Sequence, residues 1–314
     1  MASKHSTHEQ SELCVLISTQ NRPDSLLQTL RLLAASDIDR CRFEVIVIDN
    51  AVEPTAKQVT ESMEEQLSVR YLHEPNRGKC HALNRGLAED CVAPVIAVLD
   101  DDMSPGPEWC RRVLEVSDRW PNAGVFAGSS YVIWPENEHV PDWIRSRLIS
   151  GVALSVVAYG KERTTAPGEF MSGNHFWFRR KVVGSRRFID HWLSDAHFVL
   201  GLIEDGTTGV VAPEPSCGHR IQANLLRLDV QRERATNFGR QVSRFLLAFP
   251  RTVPQAKMAA NHPVLWKVRC LVALTRWLLV AASVPLRRPV NRIPNALLAR
   301  IGIANHLTCL LKRS

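Results

Sequence analysis

The sequence predicts an α/β protein: a mostly parallel sheet flanked by helices, followed by a helical C-terminal extension. Three observations carry this expectation. Short apolar runs alternate with amphipathic stretches of roughly 10–15 residues, which is the pattern of βαβ units. The runs are continuously apolar rather than alternating, as strands covered on both faces are. Charge divides the chain as well: all 32 Asp and Glu precede residue 234, whereas residues 234–314 hold 14 Lys and Arg and no acid.

Leu13-Cys14-Val15-Leu16-Ile17-Ser18 reads as the first strand, leaving through Thr19-Gln20-Asn21-Arg22 into a helix opened by Pro23, with Leu26, Leu30, Leu33 and Ala34 at helical spacing. Phe43 to Ile48 is the second strand and ends in Asp49-Asn50. The polar segment Thr55 to Leu67 is expected as an exposed helix, Val69 to Leu72 as a short strand and Gly78 to Asp90 as a helix. The strand Val95-Ile96-Ala97-Val98-Leu99 runs into Asp100-Asp101-Asp102. A helix over Pro107 to Trp120 and a strand over Val125 to Ser129 come next. Tyr131 to Lys161, rich in Trp, Pro and Arg, is expected as loops and a short helix. His175-Phe176-Trp177-Phe178 reads as an aromatic strand, with a helix beginning at Arg179. Ala196 to Glu204 is an apolar helix stopped at Gly206, and Gly209 to Pro213 a strand leading to His219.

Size and composition narrow the class. With 314 residues, 45% hydrophobic and 23% charged, the chain can bury a sizeable core in one large or two ordinary domains. Its eight cysteines are scattered without a C-x-x-C pair, which argues against a zinc ribbon or a disulfide framework and for reduced thiols. The polar start lacks the apolar core of a signal peptide. Val264–Val284 is long enough to cross a bilayer but carries Lys267, Arg269 and Arg276, so no clean transmembrane helix is expected. The expected location is cytoplasmic, peripheral on the cytoplasmic face of a membrane.

Chemistry concentrates at the polar ends of three strands: Thr19-Gln20-Asn21, Asp49-Asn50 and Asp100-Asp101-Asp102. In a parallel sheet these open on one edge, where ligands of open α/β sheets collect. The crevice has neither a Gly-x-Gly-x-x-Gly nor a Walker loop. Three adjacent carboxylates repel one another unless something positive sits among them. A hard divalent cation carrying a diphosphate meets that need, since oxygen ligands suit Mg²⁺ or Mn²⁺; a solvated acidic turn before Ser104-Pro105-Gly106-Pro107 is the alternative.

The order of these pieces resembles an inverting family-2 glycosyltransferase of the GT-A fold, over roughly residues 13–240. The matching pieces are Val15-Leu16-Ile17-Ser18-Thr19-x-Asn21-Arg22, Val47-Ile48-Asp49-Asn50 and Asn76-Arg77-Gly78-x-x-x-Ala82-Leu83-Asn84-x-Gly86-Leu87. They continue with Leu99-Asp100-Asp101-Asp102, Gly173-Asn174 before the aromatic strand, and Ala212-Pro213-Glu214 ahead of His219. The resemblance implies a nucleotide-binding, Rossmann-like sheet and metal-dependent transfer of a sugar from a nucleotide-sugar donor to an acceptor hydroxyl, in cell-surface glycan or other glycoconjugate synthesis. It implies a domain over 13–240 between a flexible N-terminus, 1–12, and a basic, apolar helical region, 241–314.

The resemblance also implies roles. Thr19, Asn21, Arg22, Asp49, Lys79, Asp100 and Asp101 are expected at the donor, with Asp49 toward the nucleobase, Asp100 toward the ribose, and Arg22, Arg77 and Lys79 within reach of phosphates. Asp102 and His219 are expected to hold Mg²⁺ or Mn²⁺, which offsets diphosphate charge and stabilises the leaving group. For Asp49 a helix N-cap is the alternative, and for His219 a structural histidine. Trp143 and Trp177 are candidates for an acceptor platform, with burial in the core the alternative for Trp177. Family members place Glu-Asp at the start of a helix with a Gly some eleven positions after the Asp. Here Glu204-Asp205 matches the dipeptide but abuts Gly206, whereas Asp195, after Ser194, opens the helix eleven residues before Gly206. Position favours Asp195 as base, because a base must first reach its proton. The lost Glu leaves a second reading: an inactive nucleotide-sugar-binding scaffold of a membrane assembly. A nucleotidyltransferase would want a Gly-rich basic loop after the first strand, which Ser18-Thr19-Gln20-Asn21 is not.

The C-terminal region, cationic and apolar over residues 264–314, suits helices lying on an anionic membrane surface; a packed subdomain or an oligomer interface is the alternative. Nucleic acid is not expected, because no groove-reading motif or aromatic–basic interleaving is present.

Overall fold

The computed structural model describes residues 11–90, 93–146, 149–166, 168, 169, 171, 173–190, 193–287 and 289–311. Ten residues of the expected flexible N-terminus, and Arg288, Lys312 and Arg313 of the basic tail, lie outside the described residues. In chain order, β1 (Leu13–Thr19) leads to α1 (Pro23–Ala34), β2 (Phe43–Asp49) to α2 (Lys57–Glu61) and β3 (Val69–His73) to α3 (Lys79–Leu87). Next come β4 (Val95–Leu99), β5 (Met103–Pro105), α4 (Trp109–Arg119), β6 (Ala123–Ile133), α5 (Ser150–Ala153) and β7 (Arg163–Thr164). They are followed by β8 (His175–Arg179), α6 (Ser194–Glu204), β9 (Thr208–Arg220), α7 (Leu228–Leu246), α8 (Pro254–Asn261), α9 (Pro263–Ser283) and α10 (Pro289–Leu311).

These elements form two compact units that do not follow a single cut in the sequence. Among the described residues, the first takes in those within 11–131, 158–165 and 171–220; the second, those within 132–157, 166–169 and 221–311.

The first unit is built on a mixed sheet of order β3-β2-β1-β4-β8-β6-β9-β5, with β7 beside β9. β1 pairs parallel with β2 and with β4, and β2 with β3, so the expected common edge forms at their C-terminal ends. β8 runs antiparallel to β4. The continuous apolar runs fulfil the expectation of two covered faces. Val15, Ile17, Val45, Val47, Ala97 and Leu99 enter one core with Leu26, Leu30 and Trp109, whereas Leu16, Ile46, Ile48, Ile96 and Val98 enter another with Leu83, Phe198 and Leu202. Alternation along each strand sends neighbours to opposite faces, so both layers of helices are needed.

Several elements differ from the sequence reading: β6 is longer than the strand expected over Val125–Ser129, β5 and β7 were not expected as strands, and three more differences have a clear cause. The helix expected over Thr55–Leu67 is shorter: α2 is followed by turns in which Met63 and Gln66 donate to carbonyls three residues back, and Thr60, Met63 and Leu67 are buried. The helix expected from Arg179 is one 3-10 turn, Arg180–Val182, closed where Gly184 takes φ +51°. The strand expected over Gly209–Pro213 continues to Arg220, because β9 pairs with β7 and then with β5, partners a local pattern does not reveal. Trp177, a candidate acceptor platform from sequence, is fully buried; it stacks on Phe126 and donates to Ser117 Oγ at 3.0 Å.

His175 on β8 is fully buried with Nε2 3.3 Å from the Pro215 carbonyl, and burial pushes its pKa down to about 4. An unfolded chain protonates this imidazole near 6.5, so the unfolded state binds the extra proton between those values. Its contribution is present above about pH 6.5 and is lost as pH falls through about 4, by about 3 kcal/mol. Urea unfolding across that range is expected to show the loss, and His175→Gln to flatten it; an unchanged profile in the variant would contradict the assignment.

In the second unit Ile144, Leu154, Ile221, Leu226, Ala235 and Leu297 form the core, and α10 packs on α7 and α9. A Cβ on Gly302 of α10 would overlap the Trp277 ring of α9, so this glycine allows the close approach of the two helices. α9 turns Cys270 and Leu274 inward and leaves Val264, Leu265, Val268, Leu271, Val272, Leu278 and Leu279 exposed. Beside the expectation that its cations spoil a spanning segment stands the fact that Pro263–Leu286, with a mean hydropathy of 1.5, is long and apolar enough to cross a membrane by length and composition alone.

Candidate active site

The common edge gathers its side chains through polar strand exits. Asn50, just after β2, accepts from the Gly78 N–H at 2.7 Å and donates to the carbonyls of Glu74 and Asn76 at 2.9 and 2.7 Å. Gln20 Nε2 donates to the Asn50 carbonyl at 3.0 Å. This clamp fixes the turn before α3, where Gly78 takes φ +128°, a conformation that favours glycine. Lys79, the first residue of α3, therefore projects into the edge. Ser18, Thr19, Gln20, Arg22, Asn50, Lys79 and Asp100 line a cavity of about 180 Å³ there.

Each carboxylate of the triplet has its own partner. The Lys79 ammonium donates to Asp100 Oδ1 at 2.5 Å. Asp101 is fully buried, accepts from Thr19 Oγ1 at 2.6 Å and is paired with Arg22. Asp102 Oδ2 accepts from Arg22 Nη1 at 2.8 Å, and His219 Nε2 lies 3.5 Å from its Oδ1. Burial holds Asp100 above the usual carboxylate range against the pull of Lys79, with Asp102 and Asp195 adding to the rise. Burial likewise pushes Asp101 up to about 7, against Arg22 and Thr19. At Asp102, His219 and Arg22 together outweigh burial and bring it down to about 2. The three acids are thus shifted differently because burial and partners act differently on each.

Arg220 holds the triplet's backbone. It donates to the carbonyls of Met103 at 2.7 Å and Asp101 at 2.9 Å, and to Ser104 Oγ and Thr29 Oγ1, each at 2.8 Å. The antiparallel register Met103↔His219 places Arg220 and His219 beside the acidic turn.

Asp195 enters from the first turn of α6. Its Oδ2 accepts from Lys79 at 2.8 Å, so one ammonium bridges Asp100 and Asp195. Its Oδ1 is buried with no hydrogen-bond partner among the described residues. Gly173 makes room for it: a Cβ there would sit 3.3 Å from the Asp195 Cβ and 3.4 Å from Oδ2. Asp205 lies just past the far end of the same helix, roughly 15 Å along its axis, in an exposed pair with Arg186 at 2.5 Å.

Of the expected site residues, the fold brings together Thr19, Arg22, Lys79, Asp100, Asp101, Asp102, Asp195 and His219. Asn21 is exposed, at φ +54°, and turns the chain so that Arg22 faces the acids. Arg77 is exposed. Asp49 is fully buried and accepts from the N–H groups of Ala51, Thr55 and Ala56 at 3.2, 2.6 and 2.7 Å and from the Tyr71 hydroxyl at 3.3 Å. Its carboxylate thus ties down the loop that leads into α2, whose own N-cap is Ala56 with no side-chain cap hydrogen bond. Gln20, Asn50 and Gly173, which the sequence placed in the crevice or in a motif without a role, act here as positioning residues, and Arg220 is one that sequence reasoning did not single out. Gln20 and Asn50 lie in the polar strand exits, and Arg220 directly follows His219.

The donor set fits a hard divalent cation. Asp102 Oδ1 is buried without a hydrogen-bond partner among the described residues, and an imidazole nitrogen faces it at 3.5 Å. Carboxylate and phosphate oxygens suit Mn²⁺ or Mg²⁺, and one imidazole nitrogen beside them shifts the set toward the softer of the two, Mn²⁺.

Fold and site define a GT-A-type, glycosyltransferase-class protein, and the comparisons agree. The glycosyl transferase family 2 pattern matches residues 14–185, and the chain belongs to that family. It is 32% identical over 155 residues to the succinoglycan biosynthesis protein ExoM of Rhizobium meliloti, which is 47% of either chain. It is 32% identical over 128 residues to validoxylamine A glucosyltransferase of Streptomyces hygroscopicus, covering 40% of this chain and 30% of that one. These matches span half or less of the curated relatives' length. Among solved structures, the mannosyltransferase PcManGT of Pyrobaculum calidifontis, in complex with GDP-Man and Mn²⁺, superposes with a TM-score of 0.61 at 17% identity over 94% of this chain and 86% of that one. TarS of S. aureus gives 0.53 at 13% identity, covering 95% of this chain and 55% of that one. At identities this low, the superpositions show a shared GT-A fold alone.

Proposed function

We propose that this chain is a metal-dependent, inverting transferase that moves a sugar from a nucleotide-sugar to an acceptor hydroxyl in polysaccharide or other glycoconjugate synthesis. One observation carries the reading: a single ammonium, Lys79, bridges Asp100 of the acidic triplet and Asp195 of α6. The donor's diphosphate end and the acceptor hydroxyl would then meet within one side chain's span. ExoM, a succinoglycan biosynthesis protein by name, supports the polysaccharide context. PcManGT with GDP-Man and Mn²⁺ supports the donor class and the metal.

In this mechanism Arg22 and Lys79 supply positive charge toward the diphosphate, and Thr19 and Asp101 orient Arg22. Asp49 acts through the loop it ties down, which shapes the floor for the nucleobase. Asp102 and His219 would hold Mg²⁺ or Mn²⁺, which when bound offsets the leaving diphosphate's charge. Asp195 Oδ1 takes the proton of the acceptor hydroxyl as its oxygen attacks the anomeric carbon, while Lys79 keeps Oδ2 in place. The bond to the nucleoside diphosphate breaks from the opposite side, inverting the anomeric centre. A panel of nucleotide-sugars with Mn²⁺, read by nucleoside diphosphate release and by NMR of the product's anomeric signal, tests this. Release with inverted product supports it; retained configuration, or no release from any donor and acceptor, counts against it.

We propose further that the second unit docks peripherally on an anionic membrane surface. Val264 is 75% and Leu279 66% exposed on α9, and Lys267, Arg269 and Arg276 lie on the same helix. Apolar area beside cations favours the headgroup boundary of anionic lipid. Co-sedimentation with vesicles containing phosphatidylserine is expected, falling sharply in Leu271→Glu/Leu279→Glu; equal binding to neutral vesicles, or none, would overturn it.

A further inference from the structure

We propose that Cys270 of α9 and His306 and Cys309 of α10 form a zinc site that pins these two helices together. Among the described residues this is a group of three soft or borderline donors whose ligand atoms all lie within 4.8 Å of one another, with both cysteines buried. The backbone prepares the arrangement. His306 and Cys309 are three residues apart on one helix and so share a face. Cys270 precedes Trp277 by seven residues, and Cys309 follows Gly302 by seven. Since Gly302 packs against Trp277, antiparallel helices bring Cys270 and Cys309 level two turns farther along.

The imidazole carries an independent signal. His306 Nδ1 is buried with no hydrogen-bond partner among the described residues, a cost that a bound ion removes. Two thiols and an imidazole select a thiophilic ion over Mg²⁺ or Mn²⁺, and zinc takes this donor set in tetrahedral coordination with a fourth position for water. Binding releases the two thiol protons to solvent and places a dipositive ion between two thiolates, in a segment that contains no acidic residue. The consequence is structural: α9, whose outer face is left apolar, is locked to α10 by its inner face. This site is separate from Asp102 and His219 and does not depend on the catalytic reading.

The full chain, purified under reducing conditions without chelator, is expected to carry about one zinc per polypeptide by plasma mass spectrometry. Stripped and titrated with Co²⁺, it is expected to develop thiolate-to-cobalt charge-transfer absorbance that saturates at one equivalent and is displaced by Zn²⁺. Cys309→Ser should lose that band, and Asp102→Ala should keep it. Zinc should also protect Cys270 and Cys309 from alkylation in the wild-type chain, a readout that needs no variant. The proposal is overturned if reduced wild-type chain gives no cobalt–thiolate band, if Cys270→Ser and Cys309→Ser leave the band unchanged, or if the native chain holds a Cys270–Cys309 disulfide.

Discussion

Asp195→Asn is expected to lower the transfer rate by a factor of about 100 to 10,000, the usual worth of a positioned general base, with donor affinity changed little. The substitution keeps size and an oxygen acceptor for Lys79, whose ammonium retains Asp100 as its second partner at 2.5 Å. The fold around Gly173 is also undisturbed, because no atom is added against it. What is lost is the capacity of Oδ1 to take a proton. Steady-state rates together with calorimetric donor binding check this: a fall in kcat at constant donor Kd is the expected split. The matching change at the other acid, Asp205→Asn, breaks an exposed pair with Arg186 and should leave the rate within about two-fold. Equal losses in both variants would place the base elsewhere. Nucleotide binding with no turnover in the wild-type chain on any acceptor would favour the scaffold reading.

Asp102→Ala is expected to cost the metal-dependent part of catalysis, several kcal/mol of charge stabilisation or on the order of a thousand-fold in rate. It also removes an anion shared by Arg22 and His219, at 2.8 and 3.5 Å, so diphosphate and Mn²⁺ should no longer strengthen each other's binding. Titrating nucleoside diphosphate with and without Mn²⁺ checks it: wild-type affinity should rise with the ion, and the variant's should not. The conservative Asp102→Glu keeps the charge and should retain part of the ion's effect. An Asp102→Ala chain with wild-type Mn²⁺ response would remove this residue from the metal site.

Much of this site was legible because its side chains sit just past the C-terminal ends of strands. Continuous apolar runs located the parallel strands, and parallel pairing sends Thr19, Asp49 and Asp100 to one edge whatever else the chain does. Asp195 was picked out through the family resemblance, whose pattern places the acid about eleven residues before a glycine; Gly206 takes φ +99° just past α6. The remainder depended on contacts between residues far apart in sequence. Arg220 reaches back to Thr29 across 191 positions, and no local pattern marks it as the support of the acidic turn. Asn50 was placed in the crevice from sequence, but its clamp on the β3–α3 turn shows only once that turn folds over it. The short α2 and long β9 have the same origin, since burial of Met63 and pairing with β5 decide them rather than propensity.

Anomalous diffraction from Mn²⁺ in crystals grown with nucleoside diphosphate tests the central claim most directly, since it locates the ion without reference to activity. The account predicts one nucleotide-linked peak within coordination distance of Asp102, with His219 beside it and the diphosphate between the ion and Lys79. A peak away from the acidic turn, or nucleotide bound at that edge with no manganese in the presence of saturating ion, would contradict it.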